Sequence, residues 1–139
     1  MALDLIPDVE DIVGDYLRTH PDVVAIGAKV VGTSLGTSTV PWVRVTCLDS
    51  PRRGPIDHLI EFYLQLDCFP GTGVAKNVGG QAQVNLLQRT VRAALMALPG
   101  ASLSVFVTAV DVRHARLLDT TVEPAVPYVA LTATVWLHK

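Results

Sequence analysis

The sequence predicts an α+β fold: a single, mostly antiparallel sheet with two helices packed on one of its faces. Three observations predict it. The apolar period is helical near residues 9–17 and 81–98, and close to two at 42–48, 59–69, 103–110 and 128–138. These segments run α, β, β, β, α, β, β, counting a short strand near 28–31, an order that suits one helical layer on one sheet and not a doubly wound fold. The 139 residues fit one domain, 1–139, long enough to bury about two-thirds of its unfolded surface without a disulfide or a metal.

The first helix is read from PDVEDIVGDYLRTHP. Val9, Ile12, Val13, Tyr16 and Leu17 recur at helical spacing, Asp8 caps the first turn, and Arg18 and His20 sit at the negative end before Pro21 stops the helix. Ala28 to Val31 is a short strand, and the composition of GTSLGTSTVP is that of a turn. In WVRVTCL, Val43, Val45 and Cys47 alternate with Trp42, Arg44 and Thr46; in IEFYLQLDCF, Ile60, Phe62, Leu64, Leu66 and Cys68 alternate with Glu61, Tyr63, Gln65, Asp67 and Phe69. The two segments are expected to pair antiparallel, one face packed and the other wet, across a long polar loop carrying Arg52 and Arg53. The second helix follows a glycine-rich turn, with Val84, Leu87, Val91, Ala94, Leu95 and Leu98 as its apolar stripe and Pro99-Gly100 as its stop. Two further strands close the sheet, one with Leu103, Val105, Val107 and Ala109 on one face, the other with Val129, Leu131, Ala133, Val135 and Leu137.

Half of the residues are apolar and 17% are charged, against about 25% for soluble domains, so something besides surface charge covers part of the chain. Self-association is the economical expectation. The net charge of -2 conceals an asymmetry: residues 1–22 carry Asp4, Asp8, Glu10, Asp11, Asp15 and Asp22 against Arg18 alone. No basic tract is dense enough for tight nucleic-acid binding. Cys47 and Cys68, 21 residues apart in apolar alternation, read as buried thiols in a reducing cytosol. Neither a signal peptide nor a membrane span is expected.

Several chemistries are suggested by local sequence and then fail. GTGVAKN lacks the GxxxxGK[ST] pattern of a phosphate loop, because Lys76 follows Ala75 and Asn77 replaces the hydroxyl. It reads instead as a turn that needs positive φ at Gly71, Gly73, Gly79 and Gly80. His20, His58, His114 and His138 stand alone, without ligand spacing, so no metal is expected. Glu61 and Asp67 lie about 20 Å apart along one strand, too far to act as acid and base on one bond. No nucleophile arrangement is proposed by the pattern, and neither an enzyme nor a cofactor is expected.

The succession of the acidic helix PDVEDIVGDYLRTHP, the strand PWVRVTCL, the long strand ending LQLDCF, the glycine-rich turn, the helix QAQVNLLQRTVRAAL, the segment VTAVDVRHARLLD and the strand YVALTATVWLH resembles the tail terminator (tail completion) proteins of long-tailed phages of actinobacteria. The resemblance is one of pattern from about residue 4 onward and carries no catalytic signature. It implies a structural virion protein, ring-forming and typically hexameric, at the head-proximal end of the tail. Such a ring stops tube polymerisation and meets the major tail tube protein on one side and the head-completion (connector) protein on the other, with viral DNA passing through its lumen. On this reading Glu61, Gln65 and Asp67 are candidates for a lumen or inter-ring surface, and Arg52 and Arg53 for an interface loop. Another head–tail connector or tube subunit is the alternative, followed by a small hydrolase or nucleotide-binding protein.

Overall fold

A computed structural model of the chain describes residues 8–32, 38–48, 52–53, 59–71, 80–101, 103, 106–119 and 127–138. In chain order the elements are α1 (Val9–Thr19), α2 (Pro21–Ile26), β1 (Lys29–Val31), β2 (Trp42–Cys47), β3 (Arg52–Arg53), β4 (Leu59–Phe69), α3 (Gly80–Met96), a 3₁₀ turn (Leu98–Gly100), β5 (Phe106–Asp119) and β6 (Pro127–His138). The fold is α+β, as expected, with one mixed sheet in the order β1-β2-β4-β6-β5 and β3 paired to β4 off that path. Among the described strands the β1–β2 pair is parallel and the other pairs are antiparallel.

Pro21 does more than end the first helix. His20 leaves the helical region at φ -68, ψ 126, its Nδ1 accepts from the Asp22 N–H at 3.3 Å, and Pro21 takes the first position of a second, six-residue helix. A proline is tolerated there because the N–H it lacks would have had no partner. Gly27 then stops this helix at φ 77, in the left-handed region that favours glycine. At the other end of α1, the Asp8 carboxylate accepts from the Asp11 N–H, as the capping pattern predicts.

The core lies between the helices and one sheet face. Val13 and Leu17 of α1, Val43 and Val45 of β2, Phe62, Leu64 and Leu66 of β4, Val84, Leu87, Val91 and Leu95 of α3, and Leu131 and Val135 of β6 are all buried. Every apolar position expected of the second helix is among the buried residues. Three polar contacts seat the helical layer. Glu10 Oε1 accepts from the Cys47 N–H at 2.6 Å, the Tyr16 hydroxyl donates to the Ala94 carbonyl at 2.6 Å, and Arg18 Nε donates to the Val30 carbonyl at 3.0 Å. Because the Lys29 N–H bonds to Pro41 across the β1–β2 side, alternation points the Val30 carbonyl at the open edge of the sheet. Arg18 therefore occupies an acceptor that another strand would otherwise use.

Three expectations need correction. The strand expected at 103–110 begins at Phe106 and runs to Asp119, taking in the segment VDVRHARLLD. Its register slips between Val107 and Ala109 and again between Val112 and His114. The first slip puts Ala109 opposite Trp136, so Val107 and Ala109 do not share a face. Second, Arg52 and Arg53 are not in an unpaired loop: they form β3, with Arg52 opposite Glu61 and Arg53 opposite Ile60. Third, Gly71 has no positive φ. Its reason is space, since a Cβ there would stand 2.5 Å from the Thr39 carbonyl oxygen. Residues 72–79, which hold the rest of GTGVAKN, lie outside the described residues.

Candidate functional surface

The helices occupy one face of the sheet, and the candidates in β4, Glu61, Gln65 and Asp67, lie on the other. Register puts Trp42, Arg44 and Thr46 of β2 beside Phe69, Asp67 and Gln65 of β4. It then puts Asp67, Gln65, Tyr63 and Glu61 beside Ala130, Thr132, Thr134 and Trp136 of β6. Glu61, Gln65 and Asp67 are thus on one face, as the period of two requires. Their exposure is not what that period suggests.

Asp67 is 1% exposed. Its Oδ2 accepts from Arg44 Nη2 at 2.7 Å and from Arg44 Nε at 3.2 Å, and its Oδ1 accepts from Gln65 Nε2 at 2.8 Å. A carboxylate survives burial only when its charge and its lone pairs are both met, and here two neighbours meet both oxygens. The expected wet acid is therefore a buried ion pair across the β2–β4 ladder. Gln65 is half-buried and supplies the third of these hydrogen bonds. Glu61 is also half-buried, and its Oε1 accepts from the Tyr63 hydroxyl at 2.6 Å. A lysine at position 67 would set a second cation against Arg44, so a change there alters the fold and not only the surface field.

Beside the ion pair is an aromatic pile. The Phe69 ring lies 4.1 Å from Trp42 at an interplanar angle of 10°, and 4.8 Å from Tyr128 at 14°. The Arg44 carbon Cζ stands 5.6 Å from the Phe69 centroid. Arg44 thus works twice, neutralising Asp67 and lying over a ring whose face is electron-rich. Trp42 and Phe69 are buried. Sequence reasoning missed the pile and the pair, although Trp42, Arg44 and Thr46 were visible as the second face of β2. The missing information was the hairpin register, which the long 49–58 connection leaves open.

Cys68 points the opposite way from Asp67, into the core, and is fully buried. Burial first, and the neighbouring Asp67 carboxylate second, push its thiol well above the ordinary range. Neither cysteine is in a disulfide, and Cys47 is partly exposed. A thiol that ionises in the unfolded chain before the folded one makes the folded state bind more protons, so stability is complete below the unfolded thiol pKa and falls as pH rises through it. The unfolding free energy should therefore decline above pH ~8.5, with a limiting slope of about 1.4 kcal/mol per pH unit from this group. Denaturant titrations at several pH values check this: the Cys68→Ala variant should lose that part of the slope, and an unchanged slope would show that Cys68 is not the source.

Among the described residues, no three His, Cys, Asp or Glu side chains are grouped to hold a metal ion, and no helix is long and apolar enough to cross a membrane. What this face offers is a broad sheet surface on which Asp67 and Arg44 cancel, with Thr46, Gln65, Thr132 and Thr134 half-buried around them. Both Asp67 oxygens accept hydrogen bonds from Arg44 and Gln65, two on Oδ2 and one on Oδ1, and Arg44 balances the charge. Compared with models of known protein families and with curated protein sequences, the chain matches none.

Proposed function

We propose that the protein is a structural subunit of a long-tailed phage, a tail terminator that assembles as a ring, hexameric by resemblance, at the head-proximal end of the tail tube. The observation that carries this reading is the one-sided architecture: a helical layer covers one face of a single mixed sheet. The opposite face is left broad, with the buried Asp67 cancelled from within by Arg44. A surface that carries little free charge suits docking to neighbouring chains, and weak adhesion to DNA passing by. The partners on this reading are other copies of the chain, the major tail tube protein and the head-completion protein. Function is then a match of shape and charge between tube and connector, with no reaction.

The test is position in the virion. Gold labelling or electron cryomicroscopy of assembled tails should find one layer of this protein at the head-proximal end, and loss of the protein should give tails of uncontrolled length that fail to join heads. Label along the whole tube would make it a tube subunit instead, and absence from the particle would overturn the reading.

A further inference from the structure

The outer side of the helical layer is itself an unpartnered surface, and it is divided by charge. Opposite the core at α1 are the N-cap Asp8 and then Asp11, Asp15 and Arg18, at spacings of three and four that form one exposed stripe of three acids and one base, with Arg18 paired to Asp15. On α3 they are Leu86, Arg89, Arg92 and Met96, with the exposed Ala93 between, and Leu86 and Met96 are 48% and 57% exposed. There is no acid anywhere in α3, and among the described residues neither Arg89 nor Arg92 has an acidic partner. The two helices are neighbours, joined by the Tyr16 hydroxyl on the Ala94 carbonyl. A mostly acidic stripe on α1 and a basic, apolar stripe on α3 thus belong to one helical layer, both exposed on the side opposite the core.

From this arrangement we infer that the helical layer docks a second copy of the same chain, face to face about a two-fold axis, with α1 of each copy on α3 of the other. The occupant follows from complementarity. A two-fold axis between the helices sets acid on base twice, and Leu86 and Met96 of each copy are covered at the same time. Any arrangement that set α3 on α3 would oppose four arginines. The area is adequate for a reversible contact: α3 is about 25 Å long and two packed helices are roughly 20 Å across, so the two copies together cover on the order of 1,000 Å², at the weak end of specific interfaces. The contact leaves the opposite sheet face uncovered, and it stands or falls apart from where the protein resides in a virion.

Sedimentation velocity over a concentration series tests it with two charge-reversed chains, Asp11→Lys/Asp15→Lys and Arg89→Glu/Arg92→Glu. Each alone should dimerise at least about ten-fold more weakly than the natural chain, and an equimolar mixture should return to within about three-fold of it, because the heterodimer restores opposite charges at both contacts. Recovery in the mixture also shows that both variants are folded. Leu86→Glu, which changes an exposed side chain, should weaken the dimer by a similar factor without altering the circular dichroism spectrum. A natural chain that stays monomeric up to about 1 mM, or a mixture no stronger than its components, would overturn the inference. Neither result touches the location of the protein in the tail, which labelling decides separately.

Discussion

Arg44→Met is expected to destabilise the folded chain by about 3–5 kcal/mol, the usual consequence of leaving one member of a buried pair without its partner. The direction follows from the asymmetry of the pair. Asp67 is almost wholly enclosed while the Arg44 side chain is 32% exposed, so removing the arginine strands an enclosed charge. Removing the aspartate instead leaves a cation that water partly reaches, and Asp67→Leu should therefore cost less than Arg44→Met. The double variant Arg44→Met/Asp67→Leu should recover most of the loss, because apolar side chains of similar volume need no compensation. Urea denaturation of the four chains gives the cycle. A single Arg44→Met variant within about 1 kcal/mol of the natural chain would show that Asp67 finds other support, since that is less than one charged hydrogen bond is worth. Salt should matter little to the result, because the pair is shielded from the mobile ions that weaken surface contacts.

Much of the architecture was legible because the hydrophobic periods were clean. Each residue of the apolar stripe predicted for the helix at 81–98 is buried, Leu98 in the 3₁₀ turn that follows α3, and in β4 Ile60, Phe62, Leu64, Leu66 and Cys68 all face the core. Periodicity decides which residues share a face, and there it succeeded. It says nothing about what lies over the other face, and the reading of Asp67 as a wet acid failed for that reason. Its neighbour Arg44 comes from 23 residues earlier, across a connection whose length does not specify register. The second helix was hidden for a related reason: a proline stops one helix and starts another with equal ease, and the deciding feature is the cap that His20 supplies. The bulges in β5 leave no mark in an alternating sequence, because a one-residue slip shows only against the partner strand. The charge division of the helical layer, by contrast, was visible from residue 1 to 22 as an excess of acids, and the structure adds that the basic stripe of α3 belongs to the same layer.

Phe69→Ala is the second substitution with a large expected effect, about 3–5 kcal/mol, because it empties the centre of the aromatic pile. Phe69 is the only ring of the three in contact with both others, so its loss parts Trp42 from Tyr128 and removes the surface under Arg44. Phe69→Leu fills most of the volume but keeps neither stack, and each stack is worth about 0.5–1.5 kcal/mol beyond burial, so this variant should fall at roughly 1–3 kcal/mol. The difference between the two variants separates packing from ring geometry. The position of the pile makes the loss travel: Phe69 ends β4, and Pro70 and Gly71 follow it buried, with the Gly71 N–H donating to Gln83 Oε1 of α3 at 2.8 Å. Loosening Phe69 should therefore weaken the seat of α3 as well as the end of the sheet. Hydrogen exchange reads this directly, with faster exchange expected at Gly71 and in the first turns of α3 as well as along the end of β2 at Trp42. A Phe69→Ala chain in which exchange rises only in the sheet, with α3 protected as before, would show that the pile supports the hairpin alone.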